Sequence, residues 1–250
     1  LAEPRINEFL AVNNRGLADG DGDTSDWIEI YNPGAKTIRL SGWALTDDAE
    51  SPDKWLFPNV SLGARRYLVV FASGKNRTSG KDLHTNFKLN GDGEYLALVK
   101  PDGSTAVSEF TPSYPAQHGG VSYGVGTAGQ QQFFDKTTPG KANGSGFAGF
   151  VQDTKFDPNR GFYDAPLRVT ITCATPDAKI RYTIDGSKPT SSHGKVYQGP
   201  IQINTTTTLR AAAFQSKLRS SNVDTHTYLF AEDIIRQPAK PAGFPTSWNG

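Results

Sequence analysis

Asp26-Trp27-Ile28-Glu29-Ile30-Tyr31 is the stretch that decides the fold class. Ile28 and Ile30 fall on one face of a two-residue period, with Trp27, Glu29 and Tyr31 on the other. Such alternation is the signature of a β-strand, and Asn32-Pro33-Gly34 then stops it in a turn. Outward from it, the same signal recurs at 37–40, 43–46, 55–57, 67–71 and 94–100. The last of these ends at Pro101-Asp102-Gly103, a hairpin turn. Strands at roughly ten-residue spacing, separated by Gly, Pro, Asn or Asp, read as a β-sandwich. No stretch of helical period exceeds two turns.

Composition agrees. In 250 residues the hydrophobic share is 36%, with Gly 26 and Pro 16, which favours many short elements over long helices. No apolar run reaches bilayer-spanning length, so no membrane span is expected. A net charge of +1 argues against a dedicated nucleic-acid binder, which carries a basic excess. Cys173 is the single cysteine, so no intrachain disulfide and no cysteine-rich zinc site can form. The sequence has no methionine, and we expect a processed chain or an excised fragment.

A second β region follows a breaker-rich run, Thr138-Pro139-Gly140-Lys141-Ala142-Asn143-Gly144-Ser145-Gly146. Charge changes there: residues 1–145 hold 14 basic and 17 acidic side chains, and 146–250 hold 12 and 8, so −3 is followed by +4. Strand patterns return at 167–172, 179–184, 201–203, 207–213 and 225–230, with Asp185-Gly186-Ser187 as a turn. The expected division is a first sandwich over 1–145, a linker over 146–160, a second sandwich over 161–231 and a tail over 232–250. Pro238, Pro241 and Pro245 block regular structure in the tail, and Phe244 and Trp248 have no local core there. We expect that tail to lead into a further domain.

Two ordered sets of residues carry family resemblances. Ile6-Asn7-Glu8-Phe9, Asp26 to Asn32, Leu40-Ser41-Gly42-Trp43-Ala44-Leu45-Thr46-Asp47-Asp48, Tyr67 to Ala72, Leu83 to Leu89 and Gly93 to Leu98 follow one another, and Thr138-Pro139-Gly140 with Asn143 closes the set. Residues 6–110 thereby resemble a bacterial lamin-tail domain. Ala178 to Thr190, Tyr197-Gln198-Gly199-Pro200-Ile201, Thr207 to Ala213 and Thr227-Tyr228 make 162–230 similar to the chitobiase/β-hexosaminidase C-terminal module. The resemblances imply two tandem immunoglobulin-like β-sandwiches, an all-β chain of non-catalytic modules. They also imply a larger secreted or surface bacterial protein, hence an extracellular or cell-surface location.

The sharpest chemical feature is Asp19-Gly20-Asp21-Gly22-Asp23-Thr24-Ser25-Asp26 with Glu29 behind it, an acidic run with no lysine or arginine inside it. Asp alternating with Gly lets oxygens converge, and Ca²⁺ takes six to eight oxygen ligands. Asp19, Asp21, Asp23 and Asp26 are therefore the candidate calcium ligands. The first three match the start of an EF-hand loop, but Ile30 holds the twelfth position. The plain alternative is a solvated acidic turn, with Asp26 capping the strand.

Other constellations have plainer readings. Asp47-Asp48, Glu50 and Asp53 offer the paired acids of glycoside hydrolysis, yet read more simply as a turn. Trp27, Trp43 and Trp55 would make a sugar-stacking face if exposed, and core if buried. Tyr182, Asp185 and Tyr197 are a weaker sugar candidate. His84, His118, His193 and His226 lack paired zinc spacing, and no Gly-x-Ser-x-Gly elbow or phosphate-cradling loop occurs. Lys75, Arg77, Lys81 and Lys88 with His84 form a basic stretch that reads as a solvated loop. Cys173 alternates with strand neighbours and reads as a small buried residue.

Three functions remain in competition. The leading one is adhesion or targeting, foremost to polysaccharide and otherwise to a cell-surface protein, with calcium stiffening the acidic loop. A second is a rigid spacer presenting a downstream domain. The third, a hydrolytic enzyme, needs converging groups that the chain does not display. Exposed aromatic strips would mark the binder, and buried rings the spacer.

Overall fold

The structure, a computed structural model, describes residues 3–236. The chain divides into two compact units, Leu1–Ala148 and Gly149–Gly250. Both are built from strands, and the helix found among the described residues is the five-residue Ala231–Ile235.

In the first unit a six-stranded sheet runs in the order Gln131–Phe134, Ser122–Val125, Arg5–Leu10, Asp26–Tyr31, Tyr67–Ala72, Leu83–His84. Facing it is a four-stranded sheet ordered Ala106–Phe110, Leu96–Val99, Ala44–Thr46, Trp55–Leu56. The alternation read at 26–31 is real: Ile28 pairs with Phe9 and Ile30 with Ile6 on the inner face. Rings join the two sheets there, with Phe9 5.0 Å from Phe110 and 4.7 Å from Tyr114 between centroids. The opposite face of this sheet is also covered. Trp27 packs with Leu10 and Phe71, and Glu8 lies opposite Glu29, all buried.

A bulge at Asn7, between the Ile6 and Glu8 pairings, sets what its neighbour must be. Gly124 pairs with Glu8, and a Cβ there would stand 2.2 Å from the Asn7 carbonyl oxygen and 2.8 Å from Glu8 Cα. Both are backbone atoms, so the sheet itself would have to open. Gly124→Ala is expected to destabilise the unit by about 2 kcal/mol, read by chemical denaturation, and a cost near zero would show that the strands part freely.

The second unit packs a three-stranded sheet, ordered Thr154–Asp157, Leu167–Cys173, Ile201–Ile203, against a five-stranded one. The latter runs Gly161–Tyr163, Asp224–Phe230, Thr207–Phe214, Lys179–Thr183, Lys195–Val196. Val169 and Ile171 from the first sheet and Ile180, Leu209, Ala211, Ala213 and Tyr228 from the second form its core.

The expected linker 146–160 is corrected by this arrangement. Gly149–Phe150 runs parallel to Leu218–Arg219, Val151 is buried, and Thr154–Asp157 pairs with Leu167–Cys173. The breakers are concentrated ahead of this segment, at 138–146, while its own Val151 and Phe156 dock it onto the core of the second unit. The expected tail begins later too, because Ala231–Ile235 is helical and its Asp233 accepts from the Thr206 amide. Pro238, Pro241, Phe244, Pro245 and Trp248 lie outside the described residues.

Candidate functional site

Asp19, Asp21 and Asp23 do converge, and the cation they converge on belongs to the chain. Alternating glycines, Gly22 with φ of 90°, bend the loop so that the three carboxylates face inward. Lys75 Nζ donates to Asp19 at 2.6 Å, Asp21 at 2.7 Å and Asp23 at 2.9 Å. Arg77 adds a forked pair to Asp21 at 3.2 and 2.7 Å. Asp82 accepts from the Gly20 amide at 2.6 Å, closing the loop from the same side. The acidic run and the basic stretch, read separately in the sequence, are one cluster.

Protonation follows from this geometry. Burial opposes ionisation of Asp19, yet the Lys75 ammonium and the amides of Asp23 and Asp21 outweigh it and hold its carboxyl below the usual range. The Arg77 and Lys75 hydrogen bonds hold Asp21 well below that range. Lys75 is pushed up by its three carboxylates. His84 is buried behind them, its Nδ1 2.9 Å from Ser73 Oγ and 4.0 Å from Asp19. Burial, then the charges of Arg77 and Lys75, lower its pKa. Asp19, Asp21 and His84 bring ligand atoms within 4.8 Å of one another, the set a metal ion would meet.

Asp26, the fourth expected ligand, is not drawn into this cluster. Its Oδ1 accepts from the Asn13 amide at 3.0 Å, anchoring the strand start, which matches the capping alternative. The 47–54 region is a closed turn, with Lys54 2.6 Å from Asp47 and the Thr46 hydroxyl donating to the carbonyls of Asp48 and Ser51. Trp27 and Trp55 are buried and Trp43 is half-buried. In the second unit Tyr182 and Tyr197 pack against the core, and Tyr197 accepts from the Ile171 amide. Cys173, expected to be buried, is half-buried at the end of its strand, its thiol donating to the Gln152 carbonyl.

One serine–histidine pair in the second unit brings an acid with it, without triad geometry. Ser187 Oγ lies 2.9 Å from His193 Nε2, but Asp185 accepts from that same hydroxyl, at 2.5 Å. In a hydrolytic triad the acid orients the imidazole instead.

The sequence reading missed a second polar cluster, on the covered face of the six-stranded sheet. Glu8 accepts from Ser122 at 2.5 Å and from the amide and hydroxyl of Thr138. Glu29 accepts from Asn7 at 2.8 Å and from the Gly140 amide. Asn143 donates to the carbonyls of Asn7 and Val125, and accepts from Asn7 and Thr138. The breaker-rich segment is thus strapped onto the sheet. Burial raises the pKa of both acids, Glu29 to about 7 with the Glu8 charge adding to the effect. The available signal was Glu29 flanked by buried isoleucines, together with the closing Thr138-Pro139-Gly140 and Asn143.

Comparison with known families agrees with the order of the two modules. Residues 5–113 match the family model of the Lamin Tail Domain, and residues 158–225 match that of the chitobiase/beta-hexosaminidase C-terminal domain. Both are immunoglobulin-like folds standing in tandem along the chain. A search of the curated proteins finds no match to the chain. Among the described residues no helix is long and apolar enough to cross a membrane.

Proposed function

We propose that these are non-catalytic accessory modules of a larger secreted or surface bacterial protein, acting as rigid β spacers that present other parts of it. The observation carrying this reading is where the rings go. Trp27, Trp55, Phe9, Phe110 and Tyr114 are core, and among the described residues Phe162 is the one Phe, Tyr or Trp that is largely exposed, at 73%. A face that stacks on crystalline polysaccharide needs several such rings in a row. In a pull-down on chitin and cellulose the chain is expected to stay in the supernatant, with calcium or with chelator. Retention on either polymer would overturn the spacer reading in favour of carbohydrate targeting.

The acidic loop fits the same role. In this reading Lys75 and Arg77 supply from within the positive charge that calcium was expected to bring, fastening residues 19–23 to the 75–84 segment. Calcium should leave the melting temperature of the unaltered chain where it is. Lys75→Met should lower that temperature and make it rise on adding calcium, because three inward carboxylates are then left with Arg77 alone. Stabilisation of the unaltered chain by calcium would restore the calcium loop.

A further inference from the structure

A groove of about 860 Å³ lies on the second unit, within the size range of ligand sites, about 300–1,000 Å³. Its floor is the outward face of the five-stranded sheet. Leu209, Ala211 and Ala213 point into the core, so Ala212 and Phe214 point out, and both line the groove. Lys179 is the cross-strand partner of Phe214 and shares that face, placing an ammonium beside a half-buried ring. The loop around Lys188 and Thr190 forms one flank, and the segment from Gln215 to Val223 another.

Its charge is lopsided. Neither Lys179 nor Lys188 makes an ion pair among the described residues, and Asp177 is the one acid in the lining. Two further cations lie on the outward face, since Arg181 pairs with Ala212 and Arg210 with Thr183. Their guanidinium groups donate to the carbonyls of Gly194 and Gly186, and neither makes an ion pair among the described residues. The neutral lining is rich in hydroxyl and amide groups, and the side chains of Ser220 and Asn222 have no internal hydrogen bond among the described residues.

We propose that this groove binds an acidic glycan, a short run of sugar units carrying carboxylates. Lys179 and Lys188 take the carboxylates, Phe214 lies under an apolar sugar face, and Thr190, Ser220 and Asn222 exchange hydrogen bonds with sugar hydroxyls. A nucleic-acid strand would call for successive stacking rings and a denser row of cations, and the groove offers one ring. An acidic peptide adding as a strand would need a sheet edge, whereas this groove lies on a sheet face. The inference goes beyond the spacer reading and does not depend on it: neutral crystalline polymers test that reading, soluble acidic oligomers test this one.

The probes are a galacturonate tetramer, its methyl ester and a single-stranded DNA oligonucleotide, each titrated calorimetrically into the full chain. The tetramer should bind, weaken as salt is raised, and lose about tenfold or more in affinity in Lys179→Gln/Lys188→Gln. Asn222→Ala should weaken it several-fold, and Lys155→Gln, on another strand, should leave it unchanged. Both groove lysines are exposed, so the double variant should melt with the unaltered chain. No binding of the tetramer, equal binding of its methyl ester, equal or tighter binding of DNA, or full affinity in the double variant would each overturn the assignment.

Discussion

Between pH 5 and pH 8 the first unit should lose about 3 kcal/mol of stability through a single side chain, Glu29. The residue is fully buried, opposite Glu8, and burial pushes its carboxyl from the ordinary 4.5 up to about 7. Between those two values the folded chain holds a proton that the unfolded chain has released. Stability therefore falls as pH rises through the window, the reverse of a salt-bridged carboxylate. Glu8, Asp26 and Glu94 are raised as well, burial being the leading cause, and act in the same direction. His84 and His226 act oppositely: burial lowers both, so the unfolded chain takes up protons below about 6.5 that the folded chain refuses. Asp19 and Asp21, held low, contribute stability that is lost only as pH falls below the ordinary carboxylate range. The raw profile is thus a composite, and the informative quantity is the difference from Glu29→Gln, which cannot ionise. Urea denaturation of both proteins from pH 5 to pH 8 should give curves that diverge by about 3 kcal/mol, the unaltered chain losing ground. Parallel curves would mean that Glu29 is ionised throughout and that its hydrogen bonds from Asn7 and Gly140 outweigh burial.

What the sequence discloses about this protein depends on how far apart the interacting residues lie. The strands at 26–31 and 201–203 have the bounds their alternation gives, and 67–71 extends by one residue to Ala72. Those runs carry β-branched or aromatic side chains, alternating with polar ones at 26–31 and 201–203 and unbroken at 67–72. Leu83–His84 and Ser61–Leu62 are two residues long, too short to display any period, and only their neighbours hold them as strands. The candidate site was half legible for the same reason. Convergence of Asp19, Asp21 and Asp23 follows from local Asp-Gly alternation. Their neutralisation by Lys75 comes from 52 to 56 residues along the chain, where nothing local announces it. The composition of 138–146 signals loop, correctly, but composition does not say whether a loop swings free or is strapped to a sheet.

Asn143→Ala tests that strap and should cost about 4 kcal/mol. The side chain is buried, and both ends of its amide are used. Nδ2 donates to the Asn7 and Val125 carbonyls at 2.9 and 3.0 Å, and Oδ1 accepts from Asn7 and Thr138, both at 3.1 Å. Alanine removes the whole set and leaves carbonyls without that donor under a closed surface, each costing roughly 1–3 kcal/mol. The loss also reaches the acids. Thr138 and Asn7 donate to Glu8 and Glu29 respectively, and both lose a second anchor when Asn143 is gone. Global stability from urea denaturation is one readout. Limited trypsin digestion is the other, because Lys136 and Lys141 flank the strapped Thr138–Gly140 and become substrates only when it lifts. Cleavage there should accelerate in Asn143→Ala far more than at sites in the second unit. A cost below about 1 kcal/mol with unchanged cleavage would show that the segment is held by its carboxylate contacts alone. Asn143→Asp separates the two contributions: it keeps an acceptor, removes both donors and sets a third carboxylate beside Glu8 and Glu29. Its penalty should therefore exceed that of alanine at pH 8 and shrink towards it as the acids protonate near pH 5.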